Sequence, residues 1–189
     1  MKPTHLLALA AALSACADDP VDVSWVPVAG ATCGARTRRF EALDSPHVDP
    51  AAGPIAWNSN PPSSGPHAGA WARFGVFSTP LPRAHYVHNL EHGGVVIAYR
   101  CADDRCPLAA RVRAVFDALP ADPSCVAPGA PSRPRAILTP DPLLESEVAA
   151  AAWGVVYQSD CVDGPSLAAF YTSRVGMAPE DTCADGAYR

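Results

Sequence analysis

Four histidines stand in two short blocks: Asn58-Ser59-Asn60-Pro61-Pro62-Ser63-Ser64-Gly65-Pro66-His67, and His85-Tyr86-Val87-His88-Asn89-Leu90-Glu91-His92. The first block is a stiff arm. Each proline fixes its own φ and pushes the residue before it into extended conformations, so His67 is presented by a segment that loses little entropy on ordering, as a preorganised ligand requires. In the second block His85, His88 and His92 lie at i, i+3 and i+7 and share one face of a helix. There His88 and His92 stand about 5–6 Å apart between Cβ atoms, close enough to chelate one ion. In a strand the same pair would be separated by roughly 13 Å. The chelate therefore requires a turn of helix, for which Gly93-Gly94 is a fitting stop.

Neutral imidazoles suit zinc, copper, iron or nickel, and a thioether would tilt the choice toward copper. Met177, the one methionine besides Met1, lies beside Gly176 in a predicted turn and could supply that thioether, although a lone Met is more often core filler. The expected ligand set is therefore His67, His88 and His92, with His85 and Met177 at its margin, and the expected ion is copper first and zinc second. His88-Asn89-Leu90-Glu91-His92 also matches H-x-x-E-H, the inverted zincin pattern, in which the glutamate activates a metal-bound water. Under that reading Glu91 is the catalytic base. The match covers five residues, however, and Gly93-Gly94 cuts short the longer helix which that pattern needs. His47, in Ser45-Pro46-His47, has no partner pattern and reads as a surface residue. No Gly-x-Ser-x-Gly elbow, phosphate loop or dinucleotide fingerprint is present.

Residues 17 to about 54 are polar and interrupted by proline, with Arg36, Arg38 and Arg39 as a small solvated basic cluster; they read as a tether and irregular lead-in. Six prolines between Pro54 and Pro82 leave room only for short strands, near Ile55-Trp57 and Arg73-Phe77. Val95-Val96-Ile97-Ala98-Tyr99 is apolar throughout and predicts a strand buried on both faces. Pro107, followed by Leu108, Val112, Val115, Phe116 and Leu119 at helical spacing and stopped by Pro120, predicts a helix over 107–119. Residues 120–135 are a Pro-rich loop pinned by Cys125. Ala136-Ile137-Leu138 reads as a strand, and so does the second half of 147–157. Pro165 opens a last helix with Leu167, Phe170 and Tyr171 inward.

The chain has 189 residues, 21 of them proline, and 7 cysteines. Proline at about twice the usual ~5% means much ordered loop, which needs staples. Met1-Lys2, an apolar run from Leu6 to Leu13 and then Leu13-Ser14-Ala15-Cys16 resemble a bacterial lipoprotein signal, in which Cys16 becomes the lipidated N-terminus; the run is short of the ~20 residues of a membrane span. Removing residues 1–15 takes Lys2, the only lysine, and leaves 13 basic against 19 acidic residues. Such a charge excludes a nucleic-acid surface, so the expected hold is on a membrane through the lipid alone, with any protein partner in the envelope unidentified. The six remaining cysteines, Cys33, Cys101, Cys106, Cys125, Cys161 and Cys183, read as disulfides in an oxidising compartment. Cys101 with Cys106, and Cys161 with Cys183 around the last helix, are the favoured pairs. No Cys-x-x-Cys occurs, so thiolate metal binding has little support.

Read together, the Asn58–His67 block and His88-Asn89-Leu90-Glu91-His92-Gly93-Gly94-Val95-Val96 resemble the signature of a bacterial family of exported or membrane-anchored proteins, the domain-of-unknown-function family numbered 3105. The resemblance covers about residues 50–180 and includes His67, His88, Glu91 and His92. The expected protein is a cell-envelope lipoprotein: signal over 1–15, lipidated tether and lead-in over 16–50, and one α+β domain over 51–189. That domain should hold a mixed sheet of about four strands, two main helices and long Pro-rich, disulfide-stapled loops. Its expected role is metal binding for storage, delivery or sensing. A metal-dependent hydrolase and a structural lipoprotein without metal are the other two readings.

Overall fold

A computed structural model describes residues 24–126 and 133–189. The signal expected over residues 1–15 and the expected lipidation at Cys16 lie outside these residues. In chain order the elements are β1 (Val26–Pro27), β2 (Arg36–Arg39), β3 (His47–Val48), β4 (His67–Ala68), β5 (Gly75–Val76), α1 (Arg83–Glu91) and β6 (Val95–Tyr99). They continue with α2 (Pro107–Asp117), β7 (Ala136–Pro140), β8 (Val148–Ala152), β9 (Val155–Ser159) and α3 (Gly164–Arg174).

The main sheet is mixed, with order β1-β2-β9-β8-β6-β7-β5, and β3 and β4 form a separate parallel pair. The architecture is α+β as expected, but among the described residues the sheet has seven strands rather than about four, and there are three α-helices. The extra strands come from two places. The lead-in supplies β1 and β2, with Arg36 opposite Gln158 and Arg39 opposite Val155, so the sheet takes in residues ahead of position 51. The run 147–157, for which only the second half was expected to be extended, is a hairpin of two strands turning at Gly154, whose φ is +68°. Ala149, Ala150 and Ala151 favour helix locally. They lie in mid-sheet between β6 and β9, where small side chains buried on both faces fit, and tertiary pairing overrides propensity. Ile55-Trp57, in contrast, is irregular; proline-bounded chain there has no free strand edge to join.

α2 and α3 cover one face of the sheet, packing Val112, Phe116, Leu167, Phe170 and Tyr171 on Ile97, Leu138, Val148, Ala150 and Tyr157. α1 covers the other, with Tyr86, Val87 and Leu90 on Val96, Ile137 and Ala151. α1 buries seven of its nine residues, including His88, Asn89 and Glu91. A helix that is polar on one side and still buried must find partners there for every polar group.

The disulfides are Cys33–Cys161, Cys101–Cys106 and Cys125–Cys183. The 101–106 pair is as expected, whereas Cys161 does not pair with Cys183. α3 separates those two by its whole length, ~16 Å for eleven residues at 1.5 Å each. Cys161 instead follows β9, beside the turn that leads into β2, where the Asp160 amide donates to the Cys33 carbonyl at 2.8 Å. Among the described residues no helix is long and apolar enough to cross a membrane.

Asp163 caps α3. Its carboxylate accepts from the Ser166 amide at 3.0 Å and from the amide and hydroxyl of Thr32 at 2.6 and 2.8 Å. The Ser166 amide first, then the Thr32 hydroxyl, hold its carboxyl down at about 2. A depressed pKa stabilises the fold above the unfolded value of ~3.9, and that stabilisation is lost as pH falls through about 2. Asp163→Ala should cost ~1–2 kcal/mol in urea denaturation at pH 7, and the difference from the parent should close between pH ~4 and about 2.

Candidate metal centre

His88, Asn89, Glu91 and His92 come from the last turn of α1 and the residue that ends it, so the predicted helical turn is present. Gly93 and Gly94 then turn the chain into β6. Gly93 has φ +83°, and a Cβ on Gly94 would lie 2.6 Å from Phe74 and 2.9 Å from the Asn89 carbonyl. No side chain fits at that crossing. Asn89 clamps the chain beyond the Pro-rich arm, its amide accepting from the Ala72 N–H at 2.9 Å and donating to the Ala72 carbonyl at 2.7 Å.

His67 enters on β4, and the parallel register of β3 and β4 sets His47 directly opposite it. Neighbouring strands lie ~4.8 Å apart, and the two imidazole centroids are 5.1 Å apart. His88 is central, with centroids 4.8 Å from His47, 4.5 Å from His67 and 4.7 Å from His92. Trp71 lies against His88 and His92 at 4.9 and 4.5 Å. One donor atom each from His47, His67, His88 and Glu91 falls within 4.8 Å of every other. Donors 2.0–2.1 Å from one tetrahedral ion stand ~3.3–3.4 Å apart, so the set closes by about 1.5 Å or less on binding.

Hydrogen bonds fix the tautomers. A carbonyl only accepts, so each ring nitrogen that meets one carries the proton. Nδ1 of His67 donates to the Gly65 carbonyl at 2.9 Å, Nδ1 of His88 to Ala68 at 2.7 Å and Nδ1 of His92 to Glu180 at 2.9 Å. All three imidazoles therefore present an Nε2 lone pair to the cluster, the arrangement that backbone partners impose on metal-ligating histidine. Two close contacts follow. Nε2 of His67 lies 3.1 Å from Oε2 of Glu91, yet it is fully buried and has no hydrogen-bond partner; with the proton on Nδ1, both atoms are acceptors. Nε2 of His88 and Nε2 of His92 are 2.9 Å apart, and with both protons on Nδ1 an extra proton or a cation must sit between them. Burial is the main cause that holds the His88 imidazole down at about 4, with the neighbouring imidazoles adding to it and the bond to Ala68 opposing, so that ring is neutral at pH 7. An ion ~2.05 Å from both nitrogens of that pair would subtend about 90°.

Glu91, 5% exposed, receives the Ser45 hydroxyl on Oε1 at 2.6 Å. Arg135, 4% exposed, binds Asp122 at 2.6 Å and Asp181 at 2.7 Å and donates to the carbonyls of His92, at 3.1 Å, and Thr182. It thus ties the end of α1 to the C-terminal segment that supplies the Glu180 carbonyl.

Two expected margin residues are elsewhere. His85 bonds the Ala70 carbonyl at 2.6 Å and stacks on Tyr188 at 3.5 Å; Met177 is 61% exposed on the turn after α3. His47, read from sequence as a surface residue, is indeed exposed but belongs to the cluster. Nothing in its local spacing signals this, since strand pairing twenty residues away creates the proximity.

Fold and site describe a disulfide-stapled α+β domain with a buried imidazole and carboxylate cluster able to hold a metal ion. The chain belongs to DUF3105, a family of proteins of unknown function, whose model matches residues 47–186. Comparison with curated proteins and with solved structures gives no match.

Gly94→Ala should destabilise the fold by ~1–3 kcal/mol in urea titration, because neither the Phe74 ring nor the Asn89 carbonyl can withdraw from a new methyl group without repacking α1.

Proposed function

We propose that the cluster binds a single divalent transition-metal ion through donors drawn from His47, His67, His88 and Glu91, which converge on one point, with Nε2 of His92, 2.9 Å from that of His88, as a further donor beside them. The observation that carries this reading is Nε2 of His67, a buried acceptor without a hydrogen-bond donor, aimed at a carboxylate oxygen 3.1 Å away. A cation between the two relieves both groups. The donors are nitrogen and carboxylate oxygen. With Met177 exposed, the thioether argument for copper lapses, and zinc(II) or copper(II) fits better than copper(I).

The chain then acts as a metal-binding lipoprotein of the bacterial cell envelope, exported through its signal, stapled by disulfides in an oxidising compartment and anchored by acyl chains on Cys16. Storage, delivery or sensing of the ion is favoured over hydrolysis. As general base Glu91 would need an oxygen facing a bound water, and here Oε1 holds Ser45 while Oε2 faces His67.

Protein exported as Cys16→Ala and purified without chelators should carry zinc or copper at about one ion per chain by elemental analysis. His67→Ala and His92→Ala should remain folded and lose it. Neither metal at any stoichiometry in the parent would leave the cluster a purely architectural polar network. Ser45→Ala, which removes the donor that orients Glu91, should weaken binding ~10–100-fold in competition with a chromophoric chelator.

A further inference from the structure

The Pro-rich arm has a second end. His67 reaches the imidazole cluster, but Asn58, Ser59 and Asn60 line a groove of ≈ 330 Å³ against the β2 edge of the sheet, within the ~300–1,000 Å³ typical of small-molecule clefts. Trp25, Phe40 and Trp57 are its aromatic lining; Trp25 meets Phe40 edge to face at 6.3 Å and carries the Arg36 guanidinium 5.3 Å from its ring centroid. The polar wall is rigid before any ligand arrives. Asn60 donates to the Leu143 carbonyl at 2.9 Å, accepts from Arg83 at 2.9 Å, and receives the Gln158 amide on its own carbonyl at 2.9 Å. Such preorganisation lowers the entropy cost of binding.

Arg38 sits in this groove with its guanidinium 4.6 Å from the centroid of the Phe40 ring. It makes no ion pair among the described residues, and its Nε–H is buried without an acceptor. Glu145 lines the same groove, so one cation and one anion offset each other, and a strongly charged ligand gains little from the pair. The matching chemistry is a ring with a flat apolar face and both donors and acceptors around its edge, which is a pyranose.

We propose that this groove is a carbohydrate-binding site for one or two neutral sugar rings of a glycan. The C–H face of a ring packs on Trp57 and on the side of Trp25 away from the Arg36 guanidinium, a terminal N–H of Arg38 donates to a ring, hydroxyl or acetamido oxygen, and Glu145 accepts from hydroxyls. The site is independent of the metal reading.

Calorimetric titration of the full chain in detergent with short oligomers of glucose, galactose and N-acetylglucosamine tests it. At least one should bind saturably with Kd ~0.1–1 mM, weakened at least ~10-fold by Trp25→Ala and by Arg38→Gln. Folding of both variants is checked by circular dichroism. Binding should persist in His67→Ala and after chelator treatment, which separates failure of this site from failure of the metal centre. The proposal is overturned if no neutral oligomer binds saturably up to ~10 mM. It is equally overturned if a proline-rich peptide or a glucuronate oligomer binds in place of the neutral sugars, or if folded Trp25→Ala and Arg38→Gln keep the parent affinity.

Discussion

Burying imidazoles beside a carboxylate is expensive unless each polar atom is partnered, and here the backbone meets half of that demand. The carbonyls of Gly65, Ala68 and Glu180 accept the Nδ1 protons of His67, His88 and His92. The His88 and His92 bonds also hold β4 and the C-terminal segment on the end of α1, while the His67 bond to Gly65 closes the arm on itself. Everything else in the site follows from that constraint. With Nδ1 spoken for, the Nε2 lone pairs converge, and convergence of lone pairs is unfavourable until a proton or a cation arrives.

The surrounding fold keeps those carbonyls in place. Arg135 grips the His92 carbonyl and the segment around Asp181 and Thr182, and Cys125–Cys183 closes the same segment covalently. Asn89 holds the chain at Ala72 on the other side. Gly93 and Gly94 let the Arg135 side chain and Phe74 approach the end of the helix more closely than any side chain would allow. Removing one group from such a network leaves its partner buried and unpaired, which costs more than the lost bond itself. That makes α1 rigid, and a rigid array of nitrogen donors is what a metal site needs.

The polar cluster and the groove sit at opposite ends of one stiff arm, and the arm owes its shape to proline. Asn60 is locked against Leu143, Arg83 and Gln158; His67 is locked against His47 by strand register. A chain with 21 prolines thus gains order from restricted φ and from polar bonds to the sheet. Three disulfides add to it, and they agree with an oxidising compartment.

The sequence by itself determined what local chemistry controls. The helical turn that pairs His88 with His92, the doubly buried β6, helices α2 and α3 with their inward faces and the Cys101–Cys106 staple all follow from periodicity and spacing within a few residues. Only the tertiary structure decided what depends on pairing between distant segments. β2 is polar and arginine-rich, so it carries no apolar strand pattern and becomes a strand only because β9 offers it an edge. His47 joins the cluster through its register with His67, and Cys161 finds Cys33 rather than Cys183 because α3 holds the latter an entire helix away. Spacing along the chain reports neighbours on one element, whereas register and crossover fix neighbours between elements, and those are set by the summed packing of the whole sheet.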